Sequence, residues 1–313
     1  MSPSEQPSGA VERMIAIKAL PVFVDVHPDE LAVIAEFASL HTFRRGETLY
    51  AGAQAPVSTM HLVLEGRVAE YRDGKLFVTH GPQHVLGGED ALALAATDIV
   101  AVAEEDTRTL AIERDHLRDI LEDNFGVLSA ALQGVAAATL RLRRRIVPSA
   151  GYPAPEQPPP GPVAFPEDIG ARVAFLWRHT WLRRARVRTL GQLATEAEAV
   201  ALDDGARLWA AGEHADNALI VLAGGVACET DDRQQRFDAG RGAILGLEEL
   251  LAMDVRWYGA VVRTPGSALR ITRGALLDVL EDDPDSALEL LAALAAIASR
   301  LRDEVAHGAG GHA

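Results

Sequence analysis

The sequence predicts an α+β protein built of two tandem antiparallel β-rolls, each flanked by helices. Three observations predict it. Short apolar runs separated by Gly, Asp and Pro fill residues 41–113 and again 200–272, and closely spaced short strands fold as antiparallel rolls or barrels. Residues 147–166 hold eight prolines; proline has no N–H and a fixed φ, so neither a helix nor a central strand forms there. The glycines of one half recur in the other at one spacing. Gly46, Gly66, Gly81 and Gly87 are answered by Gly205, Gly225, Gly240 and Gly246, and 205 − 46 and 246 − 87 both give 159.

Taken in order, residues 1–12 are rich in Ser, Pro and Glu and read as a disordered tail. A first domain spans 13–146. Met14–Phe23 is apolar and reads as a short helix, and Pro28 or Asp29 opens the next, with Leu31, Ile34, Ala35 and Phe37 on one face. Strands follow up to Glu113, then helix to Arg145. Residues 147–166 read as a semi-extended linker. The second domain, 167–306, repeats the plan: helices to about Ala199, strands from Val200 to Thr272, helices to about Val305. Residues 307–313 read as a flexible tail. The shift of 159 persists without a gap through Leu110/Leu269, Ile112/Ile271, Arg114/Arg273, Leu117/Leu276 and Asp119/Asp278, so the chain reads as a tandem duplication.

Composition narrows the function. With 313 residues, 48% of them hydrophobic, there is material for two cores. A net charge of −15 argues against a nucleic-acid grip. The single cysteine, Cys228, excludes a disulfide framework within the chain and fits a reducing compartment. The N-terminus MSPSEQPSGAVERM lacks a basic region followed by an apolar run, so no signal peptide is expected. Leu288–Ala298 is interrupted by Glu289 and falls short of the roughly 20 residues a bilayer span takes. A soluble cytoplasmic protein is expected.

Two stretches carry the candidate chemistry. Ile244–Val262, ILGLEELLAMDVRWYGAVV, places a glycine, a helix start with two acids and then Arg256 before an apolar strand. Free helix-start amides and a guanidinium are what a bound phosphate needs. Leu86–Ala103 has the same layout, but Thr97 stands where the arginine would be.

Each half resembles a cyclic-nucleotide-binding domain, the jelly-roll module of bacterial cAMP-receptor-type regulators and kinase regulatory subunits. Gly46-Glu47-Thr48-Leu49, His61 through Val68 and Gly81 through Gly87 carry the resemblance in the first half; Gly205 through Leu208, Ile220 through Val226 and Gly240 through Gly246 carry it in the second. The family's cassette holds a glycine, a glutamate for the ribose hydroxyl and an arginine for the cyclic phosphate. Carried over, Gly246 is the glycine and Arg256 the arginine. Leu247 takes the glutamate position, with Glu248 one place later and Glu249 after it; Trp257 follows the arginine. In the first half Gly87 is the glycine, Gly88 takes the glutamate position with Glu89 one place later, and Thr97 replaces the arginine. A slip of one residue at a helix start turns a side chain by about 100°.

The resemblance therefore implies a non-catalytic regulatory or sensing protein. Its ligand, if retained, is cAMP, cGMP or another phosphate-bearing molecule held in the second domain. The alternative is an interaction scaffold whose pockets are both vestigial. At Arg256 the competing reading is an exposed arginine answering acids such as Glu249. For Glu248 and Glu89 it is plain charge at a helix start.

Other chemistry is thinner. His61, His80 and His84 lack the His-x-His pairing of a metal-binding roll, so no metal is expected; His80 and His84 flank a Gly-Pro turn and read as solvated. No Ser–His–Asp, Cys–His or Walker-type pattern stands out, so an enzyme is not expected. Basic clusters at Arg141, Arg143, Arg144 and Arg145 and at Arg178, Arg183, Arg184, Arg186 and Arg188 read as helix ends answering dipoles or acidic roll surfaces, or as a docking face for an unknown protein partner. About thirty residues follow Asp282, too few for a DNA-reading domain. Leu128, Leu132, Val135 and Leu142, and Leu290, Leu294, Ile297 and Leu301, keep near-heptad spacing. Such stripes pack on their own roll, on each other as an intramolecular pseudo-dimer, or across a homodimer.

Overall fold

The computed structural model describes residues 9–20, 23, 26–52, 57–93, 98–145, 168–179, 185–231 and 235–309. Helices and antiparallel strands alternate as the sequence predicts. The chain divides into two compact units, Met1–Ala131 and Leu132–Ala313. The expected linker at 147–166 lies outside the described residues.

The first unit opens with α1 (Ala10–Lys18) and α2 (Pro28–Phe37). α1 starts earlier than its apolar run suggests and takes in Ala10–Glu12, which the composition assigned to a disordered tail. The Glu12 carboxylate reaches back to the Gly9 N–H at 3.4 Å, and Ile17 is buried; an acid in the first turn favours a helix start. Eight strands follow: β1 (Ser39–Phe43), β2 (Thr48–Ala51), β3 (Thr59–Glu65), β4 (Val68–Arg72), β5 (Lys75–His80), β6 (Val85–Leu86), then helix α3 (Gly88–Ala93), β7 (Ile99–Ala103) and β8 (Thr107–Glu113). They form two four-stranded sheets, ordered β1-β8-β3-β6 and β2-β7-β4-β5, neither closed. Helices α4 (Arg114–Asp123) and α5 (Phe125–Arg143) complete this run, and the division between units falls inside α5.

The second unit takes the rest of α5, then α6 (Ile169–His179), α7 (Val187–Glu196), β9 (Glu198–Leu202), β10 (Arg207–Trp209), β11 (Asn217–Glu229), β12 (Arg236–Ala239), β13 (Ile244–Leu245), α8 (Leu247–Ala252), β14 (Gly259–Thr272), α9 (Arg273–Glu281) and α10 (Pro284–Ala309). Adding 159 to the bounds of β1, β6, α2 and α3 gives those of β9, β13, α7 and α8. The spacing read from glycines thus extends to helices whose sequences share little. Here the sheet is one six-stranded assembly, because β11 and β14 run straight through positions where the first unit breaks into β3–β4 and β7–β8. Register shifts between Val221 and Val226 let the long pair bend. Gly266 is obligatory there: a Cβ would sit 2.0 Å from the Ala223 carbonyl oxygen.

α5 is long and apolar enough to cross a membrane by length and composition alone, a stretch the sequence survey passed over for Leu288–Ala298. Its residues Leu128, Leu132, Ala136 and Leu140 are buried in the protein. On α10, Leu290, Leu294 and Leu301 are buried likewise.

Candidate functional site

All six candidate residues of the second unit are buried, as is Tyr258. Gly246 sits in the left-handed region (φ 75°, ψ 12°) between β13 and α8. Its N–H donates to the Tyr258 hydroxyl at 3.1 Å, and its carbonyl accepts from the Leu250 N–H at 3.0 Å. A Cβ there would lie 1.8 Å from the Arg256 guanidinium. Both the backbone and the arginine therefore require glycine.

The Arg256 side chain is 1% exposed. One terminal nitrogen donates to the Asn217 carbonyl at 2.6 Å and the other to the Gly246 carbonyl at 3.4 Å. The guanidinium lies 4.1 Å over the Trp209 ring. Its nearest carboxylate is the exposed Asp216, at 4.0 Å, and Nε has no partner among the described residues. The alternative of an exposed arginine is overturned, because the side chain is inside; the acid that reading named, Glu249, feels its charge but accepts no hydrogen bond from it.

Leu247 is buried. Glu248 is not plain surface charge: it is 4% exposed, and one oxygen accepts from Arg143 Nε at 2.9 Å and from its NH2 nitrogen at 2.8 Å. Glu249 is fully buried, with neither carboxylate oxygen hydrogen-bonded among the described residues. Burial first, then the Glu248 charge, push its pKa up to about 7, against the pull of Arg256 and Arg143. Trp257 is a core residue, stacked on Phe237 at 5.7 Å and edge-on to Tyr258 at 5.0 Å. Trp209, Phe237, Trp257 and Tyr258 fill the roll together with Leu245, Cys228 and Leu140. Burial, then Asp238 and Glu249, push the Cys228 thiol well up, so it stays protonated. A cleft of about 610 Å³ opens beside this cluster, lined by Trp209, Cys228 and Phe237 together with Arg207, Arg263 and Asp238.

In the first unit, Gly87 has the same left-handed backbone (φ 70°) and Gly88 opens α3. Thr97 lies outside the described residues, and of Glu89 the structure describes only its place on α3. This roll's interior differs. Its apolar cluster is Val63, Val68, Leu86 and Ala101 with Leu49 and Tyr50, and the buried Glu70 accepts from the Tyr50 hydroxyl and pairs with His80 at 3.3 Å. His80 is thus engaged, against the expectation of a solvated residue. His61 is buried on the Thr109 hydroxyl at 3.0 Å, and burial, then the His41 charge, push its pKa down to about 4. Among the described residues no three His, Cys, Asp or Glu side chains converge on a metal site.

Sequence reasoning placed Arg143 in a basic cluster but missed its burial on Glu248, the aromatic filling and the Tyr258 hydroxyl. A signal for Arg143 existed: Arg302 stands 302 − 143 = 159 residues later, so the repeat keeps this arginine in both closing helices. The other signal is compositional, since four of only sixteen Phe, Trp and Tyr residues crowd this roll.

Comparison with known proteins agrees with this geometry in one segment. Residues 199–283, within the second roll, match the family model of the cyclic nucleotide-binding domain. No curated protein matches the chain. Similar solved structures include a regulatory subunit of a cAMP-independent protein kinase A from Trypanosoma brucei, 16% identical over 90% of each chain with a TM-score of 0.33. A cAMP complex of the regulatory domain of Toxoplasma gondii PKA is 16% identical, over 93% of this chain and 98% of the other, at 0.35. The N-terminal domain of a transcriptional regulator from Streptomyces coelicolor A3(2) is 24% identical over 41% of this chain and 93% of its own, at 0.36. At these scores the likeness bears on neither ligand nor partner.

Proposed function

We propose that the protein is a non-catalytic, cytoplasmic regulatory protein that arose by duplication of one roll, with a site in its second unit for a phosphate-bearing ligand of the cyclic-nucleotide kind. The observation that carries this reading is the state of Arg256. A buried guanidinium is costly unless a counter-charge meets it. This one is met by two neutral carbonyls, an aromatic face and one exposed carboxylate at 4.0 Å, while the buried Glu249, which feels its charge, accepts no hydrogen bond from it. A phosphate at the start of α8 would supply the counter-charge, with helix amides adding donors. The first unit is not proposed as a nucleotide site, because its sequence places no arginine at the matching position.

A second reading, an interaction scaffold with vestigial pockets, is favoured by the four rings that fill the second roll. A nucleotide base would enter only after these rings move. Calorimetry with cAMP, cGMP and cyclic dinucleotides on the wild type and Arg256→Ala separates the two. Sensing requires heat with at least one of them on the wild type, abolished in the variant. Silence with all of them on the wild type selects the scaffold.

A further inference from the structure

The end of α5 does more than close a helix. Within the second unit it meets α8 and the residues around it. Leu140 is part of the aromatic core, Arg143 is buried on Glu248 in the first turn of α8, and Arg144 meets Asp254 just past its end at 2.8 Å. α8 is six residues long and is bounded by left-handed residues on both sides, Gly246 (φ 75°) and Met253 (φ 56°). A left-handed methionine persists only where its surroundings hold it. Here the hold comes from the next residue: the Asp254 N–H donates to the Glu249 carbonyl at 3.0 Å while its carboxylate is held by Arg144.

Electrostatics make this arrangement two-state. Arg143 and Glu248 are each almost fully buried. With the arginine withdrawn, Glu248 would be a charge without water or partner, a state a protein avoids by rearranging. A turn of the start of α8 about Gly246 would carry Glu248 towards water, and Gly246 is the residue whose carbonyl accepts from Arg256.

We propose that residues 140–144 form an autoinhibitory strap: seated, it keeps Glu248 inside and the cassette shut; lifted, it releases α8 and opens the Arg256 site to an anion. The strap immediately precedes the proline-rich segment 147–166, so tension or binding there is the natural input. The anion part of this inference rests on the function proposed above; the strap itself does not.

The test uses the full-length chain and three variants, R143Q, E248Q and R143Q/E248Q. Hydrogen–deuterium exchange is read at residues 247–254, with β11 and β14 as the internal reference, and cAMP and cGMP are titrated calorimetrically. R143Q should speed exchange across α8 at least tenfold while β11 and β14 stay protected. The double variant, with no charge to strand, should return most of that protection. R143Q should also bind the responding nucleotide at least tenfold more tightly than the wild type. Unchanged α8 exchange in R143Q, or equal loss of protection in β11 and β14, overturns the strap. A nucleotide bound equally by the wild type and R143Q overturns it too, leaving the sensing function intact. Opening of α8 with no binding of either nucleotide supports the strap and removes cAMP and cGMP as its ligands.

Discussion

The two cassettes, Gly87–Ala93 and Gly246–Ala252, are the same backbone carrying different chemistry. Each has a left-handed glycine, each opens a six-residue helix, and the glycine φ values are 70° and 75°. The surroundings diverge. At positions 159 apart, Val78, Asp98 and Ile99 in the first unit correspond to Phe237, Trp257 and Tyr258 in the second, and Tyr50 corresponds to Trp209. The first roll keeps a buried carboxylate held by a tyrosine and a histidine; the second is packed with rings around a buried guanidinium. Turn geometry is set by glycine and by apolar register, and tolerates wide exchange of the side chains it presents. Ligand chemistry is set by those few side chains.

The largest effect that would break this comparison is at its shared element. Gly246→Ala should cost about 1–3 kcal/mol for the backbone, plus about 3–5 for expelling a buried cation from its acceptors. Gly87→Ala should cost the backbone part plus a small adjustment, since its Cβ would lie 2.9 Å from a Val57 methyl and 3.1 Å from the Thr59 carbonyl oxygen. Denaturant melts of the two variants give the difference. Equal losses would mean that Arg256 does not occupy the space beside Gly246.

Next in size is the buried pair. Arg143→Ala should destabilise the second unit by about 3–5 kcal/mol, because it strands Glu248. Arg143→Met with Glu248→Leu should recover most of it. By contrast Arg118→Ala removes an exposed ion pair with Glu122 at 2.6 Å and should cost less than about 1 kcal/mol. Chemical melts of the four proteins measure all three effects.

Glu249 gives the second unit a pH dependence. Its folded pKa is raised from 4.5 to about 7. Below the lower value the carboxyl is protonated in both states and carries no penalty. Between the two, the unfolded chain ionises and the folded chain does not, so stability falls as pH rises. Above about 7 the loss is complete, and the difference is worth about 3 kcal/mol. The groups that act on it are Glu248 beside it, Arg143 on α5, Arg256 and the Cys228 thiol on β11. Melts of the wild type and Glu249→Gln from pH 4.5 to 8 should diverge, with the variant flat through this window. Parallel curves would show that Glu249 is ionised in the fold.

Much of the architecture was legible in the sequence because its signals are local. Strand texture, turn glycines and the spacing of 159 fix the order of elements, and Gly246 and Arg256 could be named from a cassette pattern alone. The burial of Glu248 was not legible. A glutamate in a first helical turn is ordinarily solvated, and what buries it is Arg143, 105 residues earlier and on the far side of a proline-rich stretch. The filling of the second roll was hidden for a similar reason: Trp209 and Phe237 come from two strands and Tyr258 from the bend before a third, and no one-dimensional spacing joins them. His80 was misjudged because the Glu70 that engages it lies on the neighbouring strand, not in its own turn.

The smallest effect sharpens the comparison instead of breaking it. Trp209→Tyr gives the second roll the residue that the first has at the matching position, Tyr50. The ring under Arg256 shrinks but stays aromatic, so most of the cation–π attraction survives, and the loss is mainly that of packing, about 1–2 kcal/mol. If the two rolls differ chiefly in the cation, this exchange should leave nucleotide binding within about threefold of wild type, whereas Arg256→Ala abolishes it. A Trp209→Tyr variant that melts normally yet binds nothing would move the discriminating feature from the guanidinium to the indole, whose buried N–H has no partner among the described residues. The ring nitrogen, rather than the arginine alone, would then be the donor that the first roll lacks.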